Sequence, residues 1–257
     1  MRLMAPKISI VVPMLNEGPN VVSLARQIIS ALESEQRDFE VVFVDDASTD
    51  DTWERILEAQ RGDPRIRALR HTQRGGQSAA LWTGFRASRG DVIATLDGDL
   101  QNDPADLPRL LAELASCDLA SGIRTQRKDG AVRRLSSKVA RMARRAVFGV
   151  DFRDSACNLR AFKRSVLDTL PAFDGIHRFM PILAQSGGAV VKEVPVSHRP
   201  RTAGRSKYGV WNRLGRGILD LVMVALYRRR HLKIIPALEH SEPRRDQTSS
   251  SRLASSL

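Results

Sequence analysis

The chain is poor in cysteine and in aromatic residues and has no long hydrophobic run, and each shortage removes a class of protein. Of 257 residues only Cys117 and Cys157 are cysteines, far apart and without a pairing pattern. Neither a disulfide framework nor a thiolate metal centre is expected, and a reducing compartment fits best. The longest uninterrupted apolar run is Leu221 to Tyr227, well short of the roughly 20 residues of a spanning helix. The apolar stretch near the N-terminus runs straight into Pro13, Asn16 and Glu17 with no small-residue cleavage site, which disfavours a secretory signal. Aromatic residues make up 5% of the chain and do not cluster, poor support for a base-stacking nucleic-acid surface.

Several catalytic signatures are missing as well. The first apolar run is followed by Pro13-Met-Leu-Asn-Glu-Gly18, with a single glycine, so the Gly-x-Gly-x-x-Gly of a dinucleotide-binding dehydrogenase is absent. Gly204-Arg-Ser-Lys-Tyr-Gly209 has neither the spacing nor the context of a P-loop. No Gly-x-Ser-x-Gly elbow occurs, and the five histidines show no metal-ligand spacing.

What is present is apolar material, 42% of residues, enough for a packed core and at most two domains, together with 27% charged residues and a net charge of +12. That excess calls for a polyanionic partner. The bases crowd into Arg124 to Arg145 and Arg199 to Lys233, while the first 110 residues carry most of the acids.

Ile8–Val12, Phe39–Val44, Ile66–Leu69 and Asp91–Leu96 are continuous apolar, β-branched runs alternating with helical patterns at Val21–Leu32, Trp53–Gln60 and Ser78–Ala87. Strands apolar on both faces predict a buried parallel sheet covered by helices. Further on come a proline-opened helix at Pro104–Ala115, a strand near Leu119, a basic helix at about 132–148, and strands at Leu159–Phe162 and Ala189–Val194. The region His198–Tyr208 reads as a loop and Val210–Arg230 as a helix with Trp211, Leu214, Ile218, Val222 and Ala225 on one face. From about residue 237 the composition predicts disorder.

Carboxylates close two of these strands, Asp45 and Asp46 after the second and Asp97-Gly-Asp-Leu-Gln-Asn-Asp-Pro104 after the fourth. Loops at the carboxyl ends of parallel strands converge on one crevice, so both groups are expected to face a shared ligand. Asp97 and Asp99, two apart, with the amide of Gln101, supply hard oxygen ligands suited to Mg²⁺ or Mn²⁺ bridging a diphosphate. The same residues also suit a turn and a helix cap.

Ile10-Val-Val-Pro-Met-Leu-Asn-Glu17, Val44-Asp-Asp-Ala-Ser-Thr-Asp50 and Asp97 to Pro104, with Arg199-Pro-Arg-Thr-Ala-Gly-Arg-Ser-Lys-Tyr208, resemble family 2 glycosyltransferases of the GT-A fold. They resemble in particular the dolichyl- or polyprenyl-phosphate sugar transferase branch, of the dolichol-phosphate mannosyltransferase kind. The likeness spans about residues 7 to 230. It implies an α/β, Rossmann-like, mainly parallel sheet with helices on both faces plus a C-terminal amphipathic helix. The expected organisation is a catalytic domain at 7–197, a basic acceptor loop and interfacial helix at 198–233, and a disordered tail at 237–257.

The resemblance further implies that Pro13, Glu17, Asp46 and Asp97 bind a UDP- or GDP-linked sugar and that Asp99 and Gln101 hold Mg²⁺ or Mn²⁺. Arg124 and Arg127 would stand near the phosphates. A phosphate monoester is largely dianionic at neutral pH and attacks without a general base. Arg199, Arg201, Ser206 and Lys207, with Arg133, are therefore expected to bind the phosphate of a polyprenyl acceptor. In-line displacement would invert the anomeric configuration.

Asp154 and Arg160 suit either an acceptor-ordering role or a structural ion pair. Arg74-Gly-Gly-Gln-Ser-Ala-Ala80 departs from the family pattern, which commonly has Asn where Arg74 stands, and reads as a turn and helix start. The apolar stripe flanked by Arg213, Arg216 and Arg228–Lys233 suits an anionic membrane surface, a small membrane partner or a second copy. The expected setting is the inner face of the cell membrane, in cell-envelope glycan synthesis. Alternative readings are a family 2 transferase acting on a hydroxyl acceptor, which would need a carboxylate base, and a basic nucleic-acid-binding protein, which the aromatic content disfavours.

Overall fold

The computed structural model describes residues 7–124, 152–154, 157–199 and 220–227, together with Met142, Arg145 and Gly149. In chain order the elements are β1 (Ile8–Met14), α1 (Gly18–Glu33), β2 (Phe39–Asp45), α2 (Thr52–Gly62), β3 (Ile66–Arg70), α3 (Gln77–Ala87) and β4 (Val92–Thr95). They continue with α4 (Leu107–Glu113), β5 (Leu119–Arg124), β6 (Arg160–Lys163), α5 (Ile176–Ser186) and β7 (Val191–Val196). Residues 220–227 are helical.

The strands form one seven-stranded sheet in the order β3-β2-β1-β4-β6-β5-β7. β1 to β4 run parallel, as do β5 and β7, and β6 runs antiparallel to both its neighbours. The expected α/β, mainly parallel architecture is therefore found, with one reversed strand that the apolar run around Leu159–Phe162 did not announce. A strand's composition carries its burial, not its direction.

Both faces are covered, which explains the uninterrupted apolar runs. Ile10 and Val12 of β1 and Val41 and Phe43 of β2 pack with α1, α2 and α4 through Leu24, Ile28, Ile56 and Leu110. Their chain neighbours Val11, Val42 and Val44 pack on the other face with α3 and α5 through Leu81, Phe85, Phe179 and Leu183. Helix α5 carries an internal proline, Pro181, and is preceded by Gly175 at its N-cap, whose φ is 104°. These helix-breaking residues sit in a segment where Ile176, Phe179, Met180 and Leu183 nonetheless hold helical spacing. Edge strand β7 buries Val194 and Val196 and exposes Pro195 between them, the placement an edge strand allows proline.

The helical segment 220–227 divides the stripe expected of the C-terminal helix. Leu221, Val224, Ala225 and Tyr227 pack on the α3–α5 face of the core, and Asp220 pairs with Arg178 of α5 at 3.2 Å. Val222, Met223 and Leu226 are exposed at 49%, 54% and 54%. Val222 and Ala225, expected to share a face, are thus split, because spacings of three and four put Leu221, Val224 and Ala225 together. The basic helix at 132–148, most of the loop at 198–208 and the tail fall almost wholly outside the described residues.

Candidate active site

β1 stays in register with β2 to the pair Met14–Asp45, but with β4 only to Val11–Thr95. The pairing ends beyond that point, where the strand order reverses, the place at which an open parallel sheet forms its ligand crevice at the carboxyl ends of its strands. Both acidic loops lie on its rim. Asp46 N–H donates to Met14 O at 2.8 Å. A Cβ on Gly98 would fall 2.3 Å from Met14 Sδ, so the Asp97–Asp99 turn rests on the same end of β1. Among the described residues, Asn16, Ala47 and Leu100 are three of only four non-glycine residues with positive φ, and each sits in a loop of this rim. Such backbone is costly and concentrates at working sites.

The loops after β1 and β2 interlock. Asn16 N–H donates to Ser48 Oγ and Asn16 Oδ1 accepts from Thr49 N–H, both at 2.9 Å, while Glu17 N–H donates to Thr52 Oγ1 at 2.8 Å. Burial pushes the Asp50 carboxyl up, but hydrogen bonds from Thr52 and Gly18 N–H outweigh it and hold it below the usual range. Asp45 turns away from the crevice. It is fully buried, accepts from Ser48 N–H and pairs with Arg70, so of the expected acidic pair only Asp46 addresses the rim. Alternation along β2 requires this, since adjacent side chains take opposite faces.

Asp46 gathers three partners. Gly75 N–H at 2.7 Å and Gly76 N–H at 2.8 Å donate to its two oxygens, and His71 Nδ1 lies 2.8 Å away, with Nε2 bridging to Thr83 Oγ1. Gly76 has φ 88°, a conformation that glycine adopts freely. The next residue, Gln77, opens α3, and its Nε2 donates to Asp97 Oδ1 at 2.8 Å. One glycine-rich loop therefore touches both acidic strand ends.

Asp97 Oδ1 also accepts from Asn158 Nδ2 at 2.9 Å. Burial and the charge of Asp99 raise the Asp97 carboxyl to about 6, against the Asn158 hydrogen bond and the charges of Arg124 and Arg160. Arg124 is gripped in a two-pronged pair by Asp154, with Nε–Oδ2 at 2.7 Å and Nη2–Oδ1 at 2.8 Å. Arg160 is fully buried, and burial lowers its guanidinium to about 10. The Cys157 thiol is pushed up to about 11 by burial, an inert thiol as expected.

On the turn itself, Asp99 Oδ1 accepts from Gln101 N–H at 3.2 Å. Asp103 caps the following turn through Ala105 N–H, so the motif serves as turn and cap as well as acidic cluster. Among the described residues no three of His, Cys, Asp and Glu are grouped to hold a metal unaided. A pair of carboxylates and an amide oxygen beside a crevice fit a hard cation that completes its shell from substrate phosphates and water. The segment after β7 docks on this same turn. Asn102 and His198 form an antiparallel bridge, Arg199 N–H donates to Gln101 O at 2.8 Å, and Ser197 N–H to Asp106.

Of the residues singled out from sequence, the crevice brings together Pro13, Asp46, Asp97, Asp99 and Gln101. Glu17 is buried beside it, accepting from Asn20 Nδ2 at 2.7 Å. Arg199 meets the turn through its main-chain N–H on Gln101 O, and its guanidinium is engaged by Asp103 and by Gln27 of α1. Arg127, Arg133, Arg201, Ser206 and Lys207 lie outside the described residues. Sequence reasoning passed over Gln77, Asn158, His71 and the amides of Gly75 and Gly76. The only signal for them was a Gly-Gly pair directly before a helix at the crevice end.

A doubly covered, mainly parallel sheet with an acidic crevice where its strand order reverses defines a nucleotide-sugar-transferase type of α/β protein, the GT-A architecture. The family model described as Glycosyl transferase family 2 matches residues 9–170, and the chain belongs to that family. An undecaprenyl-phosphate 4-deoxy-4-formamido-L-arabinose transferase of Pseudomonas fluorescens is 39% identical over 204 residues, covering 78% of this chain and 60% of the relative. One from Salmonella choleraesuis is 35% identical over 218 residues, 84% of this chain and 66% of the relative. The chain thus spans about three fifths of the length of its first curated relatives. A crystal structure of Mycobacterium tuberculosis glucosyl-3-phosphoglycerate synthase with Mn²⁺, uridine diphosphate and glucosyl-3-phosphoglycerate shares the fold. Its TM-score is 0.63 at 23% identity, covering 87% of this chain and 80% of that one.

Proposed function

We propose that the protein transfers a sugar from a nucleotide sugar to a polyprenyl phosphate, with inversion and with Mg²⁺ or Mn²⁺. The observation that carries this reading is the convergence on one turn, Asp97 to Asp103, of the nucleotide-side loop at Asp46 and the basic segment that begins at Arg199. The names of the relatives support undecaprenyl phosphate as the acceptor.

In this reading Pro13, Glu17 and Asp46 line the nucleoside end, and Asp97 faces the sugar and pyrophosphate. Asp99 and Gln101 would hold the cation, which as a Lewis acid offsets the charge gathering on the departing oxygen. The acceptor phosphate oxygen attacks the anomeric carbon, the bond from that carbon to the pyrophosphate breaks, and the nucleoside diphosphate leaves with the electron pair. A phosphate acceptor is already ionised, so the chain's task is orientation and charge screening. That suits Arg199, Arg201, Ser206 and Lys207, with Arg133, around the acceptor. Arg124, clamped by Asp154, acts as fixed positive charge beside Asp97, and Arg127 extends that charge.

No helix among the described residues is long and apolar enough to cross a membrane. The exposed Val222, Met223 and Leu226, followed in sequence by Arg228, Arg229, Arg230 and Lys233, support peripheral contact with an anionic leaflet. The test is incubation of the purified protein with a panel of UDP- and GDP-sugars, Mn²⁺ or Mg²⁺, and undecaprenyl phosphate. A glycolipid of the summed mass is expected, and its absence across the panel would refute the reading.

A further inference from the structure

We infer that Gln77 and Asn158 are positioning residues that together pin one oxygen of Asp97 and leave its other oxygen aimed at the sugar-pyrophosphate of the bound donor. The inference rests on the donor-site reading above and adds two neutral amides to it. They approach Asp97 from opposite sides of β4, one from the first residue of α3 and one from the residues leading into β6. Both nitrogens reach the same atom, Oδ1, at 2.8 and 2.9 Å. Asp97 Oδ2 has no hydrogen bond among the described residues, so the pairing selects one oxygen rather than saturating the carboxylate.

Each donor is itself anchored. The amides just before Gln77 are clamped on Asp46. Ser78, just after it, accepts from Gly175 N–H at 2.9 Å and lies 2.8 Å from His177 Nδ1, tying the start of α3 to the start of α5. Asn158 is buried, and its main-chain oxygen accepts from Thr95 Oγ1 at 2.6 Å, two residues before Asp97. The torsion that turns a carboxylate about its bond is soft, and Asp99 repels it. Two fixed donors on one oxygen remove that freedom before substrate arrives, the condition for a group that must meet reacting atoms to within about half an ångström.

The experiment is a cycle of Gln77→Leu and Asn158→Leu, each made in the wild type and in Asp97→Asn. Calorimetry with Mn²⁺ compares the productive nucleotide sugar with its bare nucleoside diphosphate, alongside kcat and KM for transfer. Each single variant is expected to weaken nucleotide-sugar binding about tenfold, as loss of a hydrogen bond to a charged group does. Binding of the bare diphosphate should stay within about twofold, and in the Asp97→Asn background neither change should matter further. Wild-type sugar discrimination in the variants, equal loss for the bare diphosphate, or undiminished effects without the Asp97 carboxylate would each overturn the inference. Gln77 is only half-buried, so its cycle decides alone should Asn158→Leu fail to fold. A wild-type protein that binds none of the nucleotide sugars overturns the functional reading itself, an outcome distinct from variants that behave like the parent.

Discussion

Two carboxylates at opposite ends of the sheet, the buried Glu40 and the half-buried Asp97, are treated very differently. Glu40, near the amino end, accepts from Ser9 Oγ at 2.7 Å and Arg89 N–H at 2.6 Å on one oxygen and from Arg67 Nη1 at 2.8 Å on the other. The chain itself supplies its counter-cation. Asp97, at the carboxyl end, receives two neutral amides on one oxygen and has Asp99 as its near neighbour. Its charge is left under-compensated in a place open to a ligand. Balanced charge at one end and unbalanced charge at the other separate the scaffold from the site.

The sharpest break of that contrast is at Asp99. Asp99→Ala is expected to cut transfer by more than about a thousandfold while circular dichroism and thermal unfolding show an intact fold, since relief of its repulsion with Asp97 offsets loss of the 3.2 Å hydrogen bond from Gln101 N–H. Full activity in that variant would sink the cation assignment. Glu40→Ala is expected to do the reverse. It strands Arg67 and two hydrogen-bond donors and should lower unfolding free energy by about 2–4 kcal/mol in denaturant titration, with turnover per folded molecule nearly unchanged.

The strands and acidic strand ends that frame this contrast were legible in the sequence, whereas Glu40 and its partners were not, and the unread part has a physical cause. Apolar runs on β1, β2 and β4 announced two covered faces, and acidic residues at strand ends announced the crevice. Position at the end of β2 does not tell Asp45 from Asp46; the family resemblance singled out Asp46, and side-chain alternation supplies the physical reason by turning Asp45 onto Arg70. Gln77 and Asn158 carry no charge and reach Asp97 across 20 and 61 residues, contacts that no local pattern encodes. Helix α5 hid behind Pro181, which local propensity reads as a breaker and tertiary burial overrides.

A third measurement refines the comparison through pH. The folded-state Asp97 carboxyl stands at about 6 against an ordinary 3.8, so folding disfavours its ionised form. The penalty is absent below about pH 4, grows as pH rises through the interval, and is complete above about 6. Asp97→Asn should therefore stabilise the metal-free protein by about 1–2 kcal/mol at pH 7 and by little at pH 4, while weakening transfer severely. A stability difference that is flat with pH would show that Asp97 is already compensated like Glu40.

The smallest effect carries the same logic from charge to apolar surface. On the helical segment 220–227, Val224 is 1% exposed and Leu226 is 54% exposed, so the fold satisfies one and leaves the other to a partner. Leu226→Ser should change stability by no more than about 0.5 kcal/mol, whereas Val224→Ser should cost about 1–3 kcal/mol through lost burial. Leu226→Ser should also reduce sedimentation with phosphatidylglycerol vesicles, because an exposed apolar face beside a basic run gains by entering an anionic interface. Unchanged sedimentation for Leu226→Ser combined with Met223→Ser would mean that the basic run alone holds the protein there, and raising the salt concentration would then release it.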